Sequence, residues 1–343
     1  MDTEMIAPVA PRSTNHSSSH NLKQILAPIA GDITRIDDTL RSVVTLDIPL
    51  LRQGIEAIIA AGGKRLRPSI LLLSAMFHKY DLDRLVPLAA AIELLHTASL
   101  VHDDTIDQAL VRRGLPTLNS VIDEGTTVLV GDYLFARSAV LSTMGGIQRA
   151  TRIFAESLVT ICEGEIEQHF STHHVNRTLS DYYGRIYSKT AVLFAAAGEI
   201  GAVLSEAPED EIQRLRHYGR QVGMAFQIVD DVLDMQSTTE QLGKPVGGDL
   251  RQGTVTLPTM IFLESTDDAG REAVRRVIEG DDRSDESIHH TIELVSKSGA
   301  ITRAHAEAQR LIGEAKAALA GFSDIPAKAS LLELADFVVQ RDF

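Results

Sequence analysis

Two copies of one pattern, DDTID at 103 to 107 and DDVLD at 230 to 234, interrupt sequence that is otherwise apolar and helical in period. Within each copy the first and last carboxylates lie four residues apart, so Asp103 and Asp107 share a helix face, as do Asp230 and Asp234. Like charges at that spacing destabilise an isolated helix. The flanking residues, LVHDDTID and FQIVDDVLDM, are apolar enough to argue against a merely solvated acidic face. Ionised carboxylates are costly to bury unpaired, so any fold holding both copies must bring positive charge to them.

The rest of the chain says which fold. From Asn21 to about Gln340 apolar residues recur every three or four positions in windows rich in Ala, Leu, Ile, Glu and Arg, with few alternating β-branched runs, which predicts an all-α protein. Breaks are expected at 61–68 (AGGKRLRP), 112–117 (RRGLPT), 144–146, 171–181, 205–210, 237–258 and 279–287. Asp181 is expected to cap the helix after the fourth break, and Pro87 to occupy the first turn of the helix carrying DDTID. Residues 1–21 are polar, lack the order of a secretory signal, and read as a flexible tail before a single helical domain at 22–343. The apolar windows contain charges, so no integral membrane segment is expected. With a net charge of −14 the chain has no broad basic face, which argues against nucleic-acid binding. Its one cysteine, Cys162, makes no internal disulfide and reads as a small buried core residue; a reducing cytoplasm fits.

Paired carboxylate clusters suit Mg²⁺, which takes a few carboxylate oxygens, keeps waters and completes its shell with phosphate oxygens. Metal plus a diphosphate would supply the missing positive partner.

The chain resembles the trans-isoprenyl (polyprenyl) diphosphate synthases. GGKRLRP, LLHTASLVHDDTIDQALVRRG, VLVGDYLFARS, YSKTA, FQIVDDVLD and GKPVGGDLRQGTVTLP occur in that family's order, from about Lys23 to the C-terminus. The resemblance implies an isoprenoid synthase helical bundle around a central cavity, with the two aspartate motifs facing one another, and a homodimer. It implies the 1′-4 condensation of isopentenyl diphosphate onto an allylic diphosphate, with two or three Mg²⁺ per site. Asp103, Asp104, Asp107 and Asp230 would hold metal, and Asp231 and Asp234 would be further ligands or would fix metal-bound waters. Matched to the family's motifs, Lys64, Arg67, His96 and Arg113 hold isopentenyl diphosphate. Arg112, Lys189, Thr190, Gln227 and Lys244 surround the allylic diphosphate. The glycine-rich GKPVGGDLRQG then reads as a mobile lid carrying Lys244. No side chain is an evident general base for the final proton, which the departing diphosphate can accept.

Product length in such enzymes is set sterically. Ala98 and Ser99 lie about 6 to 7.5 Å before Asp103 at the rise of an α-helix. Their small side chains leave a tunnel open where short-chain relatives carry an aromatic, which favours a product of about C30 to C50 with C20 as the alternative. Phe154 is the candidate floor. A terpene cyclase would be expected to lack the second DDxxD and the GGKRLRP segment, and a non-catalytic partner subunit would be expected to lose aspartates or basic ligands; this chain retains both sets.

Overall fold

The computed structural model describes residues 16–112, 114–236, 246–280 and 282–340, with side chains from Asn21 onward, and these are helical almost throughout. In chain order the first helices are α1 (His16–Ile25), α2 (Ala30–Ser42), α3 (Pro49–Ala60), α4 (Leu66–Ala75), α5 (Leu82–Ile106), α6 (Glu124–Thr143), α7 (Gln148–Ser171) and α8 (Leu179–Ile186). A π-helical turn, Tyr187–Ala191, runs on without a break into α9 (Val192–Leu204), and α10 (Glu209–Gln236) follows. Then come α11 (Gly248–Arg251), α12 (Leu257–Ser265), α13 (Asp268–Ile278), α14 (Asp285–Lys297), α15 (Ala300–Ala318) and α16 (Pro326–Gln340). Among the described residues the only strands are β1 (Val111–Arg112) and β2 (Leu115–Pro116), an antiparallel hairpin at the predicted RRGLPT break, with Val111 opposite Pro116.

Every residue of α9 is buried. A helix apolar on all sides belongs at the centre of a bundle, and α4, α5, α7 and α10 pack around it. A glycine on each helix lets α9 and α10 approach backbone to backbone. A Cβ on Gly198 would lie 2.3 Å from the Leu215 carbonyl oxygen, and one on Gly219 would lie 2.2 Å from that of Phe194. This contact fixes the helix bearing DDVLD against the segment bearing YSKTA.

Four local expectations are corrected. Pro87 is inside α5, not in its first turn, because the helix begins at Leu82 and is capped by Asp81, whose carboxylate accepts the Asp83 N–H at 3.2 Å. Asp181 is not the cap of α8. Thr178 is: its hydroxyl accepts the Asp181 N–H at 3.1 Å, while the Asp181 carboxylate accepts the Thr178 N–H at 2.9 Å, a reciprocal capping box. Cys162 is exposed on the outer face of α7 rather than buried. Helix α1 already begins at His16, within the stretch read as tail; residues 1–15 lie outside the described residues.

Two helical stretches, Leu82–Ile106 and Leu179–Leu204, are long and apolar enough to cross a membrane by length and composition alone. Their apolar windows are 72% and 78% buried inside the bundle, so core packing accounts for the apolarity.

Candidate active site

The first aspartate motif stands at the C-terminal end of α5, where the helix stops at Asp107 with its N–H on the Asp103 carbonyl at 2.8 Å. Asp103 is half-buried. Lys189 from the π-helical turn approaches it, held at 2.8 Å by Glu165 of α7. Burial pushes the Asp103 carboxyl up to about 6, and the negative charges of Glu165 and Asp107 add to the shift while Lys189 and Arg112 oppose it. Burial also opposes charge on Lys189, but Asp103 and Glu165 together hold its pKa above that of an ordinary lysine. Asp104, the second aspartate, is buried and accepts the Arg112 Nε–H at 2.7 Å.

The second motif lies on α10. Asp231 is buried, and both its oxygens are engaged: Tyr182 donates its hydroxyl to Oδ2 at 2.7 Å, and Gln227 donates Nε2–H to Oδ1 at 2.9 Å. The Gln227 amide oxygen in turn accepts the Thr190 hydroxyl at 2.7 Å. Burial raises the Asp231 pKa, against the pull of Arg185 and of these two hydrogen bonds. Asp230, next to it, is half-buried. Asp234 accepts the N–H groups of Gly248 and Asp249 at 3.2 and 3.0 Å and so anchors the start of α11. The second half of GKPVGGDLRQG is therefore not a free lid: it is tied to Asp234, with Val246 and Leu250 buried. Lys244 and Arg113 lie outside the described residues.

A second group of basic residues surrounds the start of α4. The Lys64 amine sits 5.1 Å from the Phe337 ring centroid, and the Arg67 guanidinium 4.5 Å from that of Phe194, the third residue of α9. Aromatic faces of this kind orient cations without neutralising them. His96, on α5, is half-buried. Ala98 is fully buried, Ser99 is half-buried with its hydroxyl on the His96 carbonyl at 2.8 Å, and Phe154 of α7 lies in the core.

Among the described residues, no three His, Cys, Asp or Glu side chains stand close enough to enclose a cation on their own. The donor set nevertheless suits one. Asp103, Asp107 and Asp230 are hard oxygen donors at least partly open to solvent. Mg²⁺ suits such a site because it needs only one or two carboxylates when phosphate oxygens and water complete its shell.

Sequence reasoning missed Glu165, Tyr182 and Arg65. Glu165 lies eleven residues, about three helical turns, beyond Phe154 on the same helix, so the amphipathic phase of α7 carried the signal. Tyr182 and Arg65 gave no comparable one, because each acts across long sequence separations.

Residues 48–295 match the family model described as polyprenyl synthetase. Heptaprenyl diphosphate synthase component 2 of Geobacillus stearothermophilus is 38% identical over 322 residues, spanning 94% of this chain and 99% of that protein. Octaprenyl diphosphate synthase of Escherichia coli is 34% identical over 323 residues, spanning 94% and 99%. A crystal structure of polyprenyl synthase from Caulobacter crescentus, complexed with calcium and isoprenyl diphosphate, superposes with a TM-score of 0.88 at 35% identity and covers 97% of this chain and 99% of its own. On sequence and fold alike, the chain belongs to the polyprenyl synthetase family of prenyltransferases.

Proposed function

We propose that this chain is an all-trans polyprenyl diphosphate synthase that adds isopentenyl diphosphate repeatedly to an allylic diphosphate, in the presence of Mg²⁺, to give a product of about C30 to C50. The observation that carries the reading is the π-helical turn. Its Lys189, paired with Glu165 at 2.8 Å, lies near enough to Asp103 of the first motif for the two charges to act on one another, and its Thr190 reaches Asp231 of the second through Gln227, so one turn serves both motifs. The long-chain length is supported by the small residues at 98 and 99 and by relatives named as heptaprenyl and octaprenyl diphosphate synthases.

In the reaction, the C1–O bond of the allylic substrate breaks and its electron pair leaves with diphosphate. The isopentenyl double bond supplies the electrons for the new C4–C1 bond. A proton is then lost from C2 to the departing diphosphate. When bound, divalent cations would supply the charge that neutralises the leaving oxygens. Asp103, Asp107 and Asp230 would hold them, while Asp104 supports Arg112. Lys189, Thr190, Gln227, Arg112 and Lys244 grip the allylic diphosphate, and Lys64, Arg67, His96 and Arg113 hold isopentenyl diphosphate with donors alone. The apolar bundle keeps water from the developing cation.

The assembly we propose is a homodimer. Leu129 and Val140 of α6, Met144 just past its C-terminal end, and Val159, Ile166 and Phe170 of α7 are 49% to 80% exposed, and on each helix they fall along one stripe. Two adjacent apolar stripes on packed helices suit a second copy of the same face. The Geobacillus relative is named as a component, which makes a different partner chain the competing arrangement. We also propose a cytoplasmic location.

The test is purified protein with Mg²⁺, labelled isopentenyl diphosphate and farnesyl diphosphate, with products sized by chromatography and mass measured by light scattering. The expected result is a product of C30 or longer from a particle of twice 37.3 kDa. A product ending at C20 would overturn the long-chain reading, and a monomer inactive until a different chain is added would overturn the homodimer.

A further inference from the structure

Lys64, at the end of a loop, and Arg67, in the first turn of α4, are held by a residue between them. Arg65 precedes α4 with φ 51° and ψ 33°, a left-handed conformation that a non-glycine residue keeps only where its surroundings impose it. Here three helices impose it. The Arg65 guanidinium donates from Nε to Asp37 Oδ1 of α2 at 3.0 Å, from Nη1 to Glu93 Oε1 of α5 at 2.8 Å, and from Nη2 to the Ile59 carbonyl of α3 at 2.9 Å. Only 11% of the Arg65 side chain and 5% of that of Glu93 is exposed, so protein groups replace water around the charge. Gly62 leaves the space: a Cβ there would lie 2.4 Å from Nη2. On the other side, the Arg65 carbonyl accepts both the N–H and the hydroxyl of Ser69, at 3.0 and 2.7 Å, which fixes the first turn of α4 containing Arg67. Glu93 stands three residues before His96 on α5.

A buried guanidinium clamped between two carboxylates is more than a loop needs in order to close, since replacing such groups with apolar ones is often neutral or stabilising. What the clamp adds is direction. We propose that Arg65, held by Asp37 and Glu93, is a positioning residue for isopentenyl diphosphate: it sets the directions of Lys64, on the loop, and Arg67, in the first turn of α4, relative to His96. The inference rests on the assignment of that diphosphate site given above. It predicts an effect on one substrate only, because the allylic residues are carried by other segments.

Arg65→Gly keeps access to the left-handed backbone and removes the clamp. In the full-length enzyme the KM for isopentenyl diphosphate should rise roughly tenfold or more, as expected for donors misplaced by about 1 Å. The KM for farnesyl diphosphate should stay within about twofold, and kcat at saturation within about threefold. The double variant Asp37→Asn, Glu93→Gln keeps the volumes while removing both carboxylates, and should show the same one-sided change if Arg65→Gly fails to fold. Calorimetry with isopentenyl diphosphate and no metal should show the loss as weaker binding. Equal rises in both KM values, or unchanged KM values beside a lowered Tm, would overturn the proposal while leaving the synthase reading intact. A wild-type protein that neither binds nor consumes isopentenyl diphosphate would overturn both.

Discussion

The Tyr182 hydroxyl donates to Asp231 Oδ2 at 2.7 Å with both side chains buried. Asp231 is therefore held by neutral donors, Tyr182 on one oxygen and Gln227 on the other. Tyr182→Phe removes one of them and leaves a buried carboxylate oxygen without its partner, at a cost of about 1–3 kcal/mol. We expect the Mg²⁺ concentration giving half-maximal turnover to rise about 10- to 100-fold, the usual scale for groups that orient a ligand set. Metal titration of the variant checks this; an unchanged midpoint would mean that Asp231 does not contribute to the cation site.

Asp103 sets function against stability. Its folded pKa, about 6, lies above the ordinary carboxylate value, so the metal-free folded state binds more protons than the unfolded chain between about pH 4 and 6. Its contribution to stability is present below about pH 4 and is lost as pH rises through about 6. Asp103→Asn should therefore raise the Tm of the metal-free protein at pH 8, by a free energy on the order of 1–3 kcal/mol. That gain should vanish near pH 4. Turnover should fall by several orders of magnitude, as it should for Asp230→Ala. Thermal melts at the two pH values with chelator present decide the first part, and steady-state rates at saturating Mg²⁺ the second.

Arg112 and Arg113, adjacent in sequence, should respond differently to alanine. Arg113→Ala should raise the KM for isopentenyl diphosphate more than that for the allylic primer. Arg112→Ala should act on the allylic side. It should also lower stability, because Asp104, 7% exposed, loses the guanidinium that donates to it at 2.7 Å. Paired KM measurements and melting curves separate the two, and the reverse ranking of KM effects would mean that the anion sites are exchanged.

Chain length offers an independent check. Ala98→Tyr places a ring about 7.5 Å before Asp103 along α5. The product should shorten toward C15 to C20 while the first condensations continue. Overpacking a fully buried alanine should cost about 1–3 kcal/mol, so melting must be measured beside product size. Phe154→Leu, milder than alanine at a buried position, should lengthen the product if the ring is the floor. A folded, active Ala98→Tyr enzyme that still makes the parental length would show that position 98 faces a packed helix.

The fold class was legible because helical periodicity is local, and the first and last aspartates of each motif announced a shared face through spacing alone. The roles of the middle residues were not legible. Asp104 and Asp231 look like their neighbours in sequence, yet each is buried against a partner that only the tertiary fold supplies, Arg112 in one case and Tyr182 with Gln227 in the other. Asp234 likewise reads as a ligand until the returning chain puts two backbone N–H groups on it. The Cys162 error has a different cause. An apolar stripe on the outside of a bundle has the same periodicity as one facing the core, so periodicity could not say which face of α7 was turned inward.

The π-helical turn at Tyr187–Ala191 takes one residue more per turn than the helices it joins. A residue in the wider winding turns through less angle, so the turn takes up its extra residue locally and α8 and α9 stay nearly in phase across it. What the extra residue changes is the aim of the turn's own side chains: Lys189 pairs with Glu165 at 2.8 Å while Thr190, the next residue, donates to Gln227 at 2.7 Å. Removing one residue there would return the segment to regular winding and leave Tyr182 beside Asp231, but would forfeit one of those two contacts, so a deletion that leaves both aspartate motifs intact would still uncouple them.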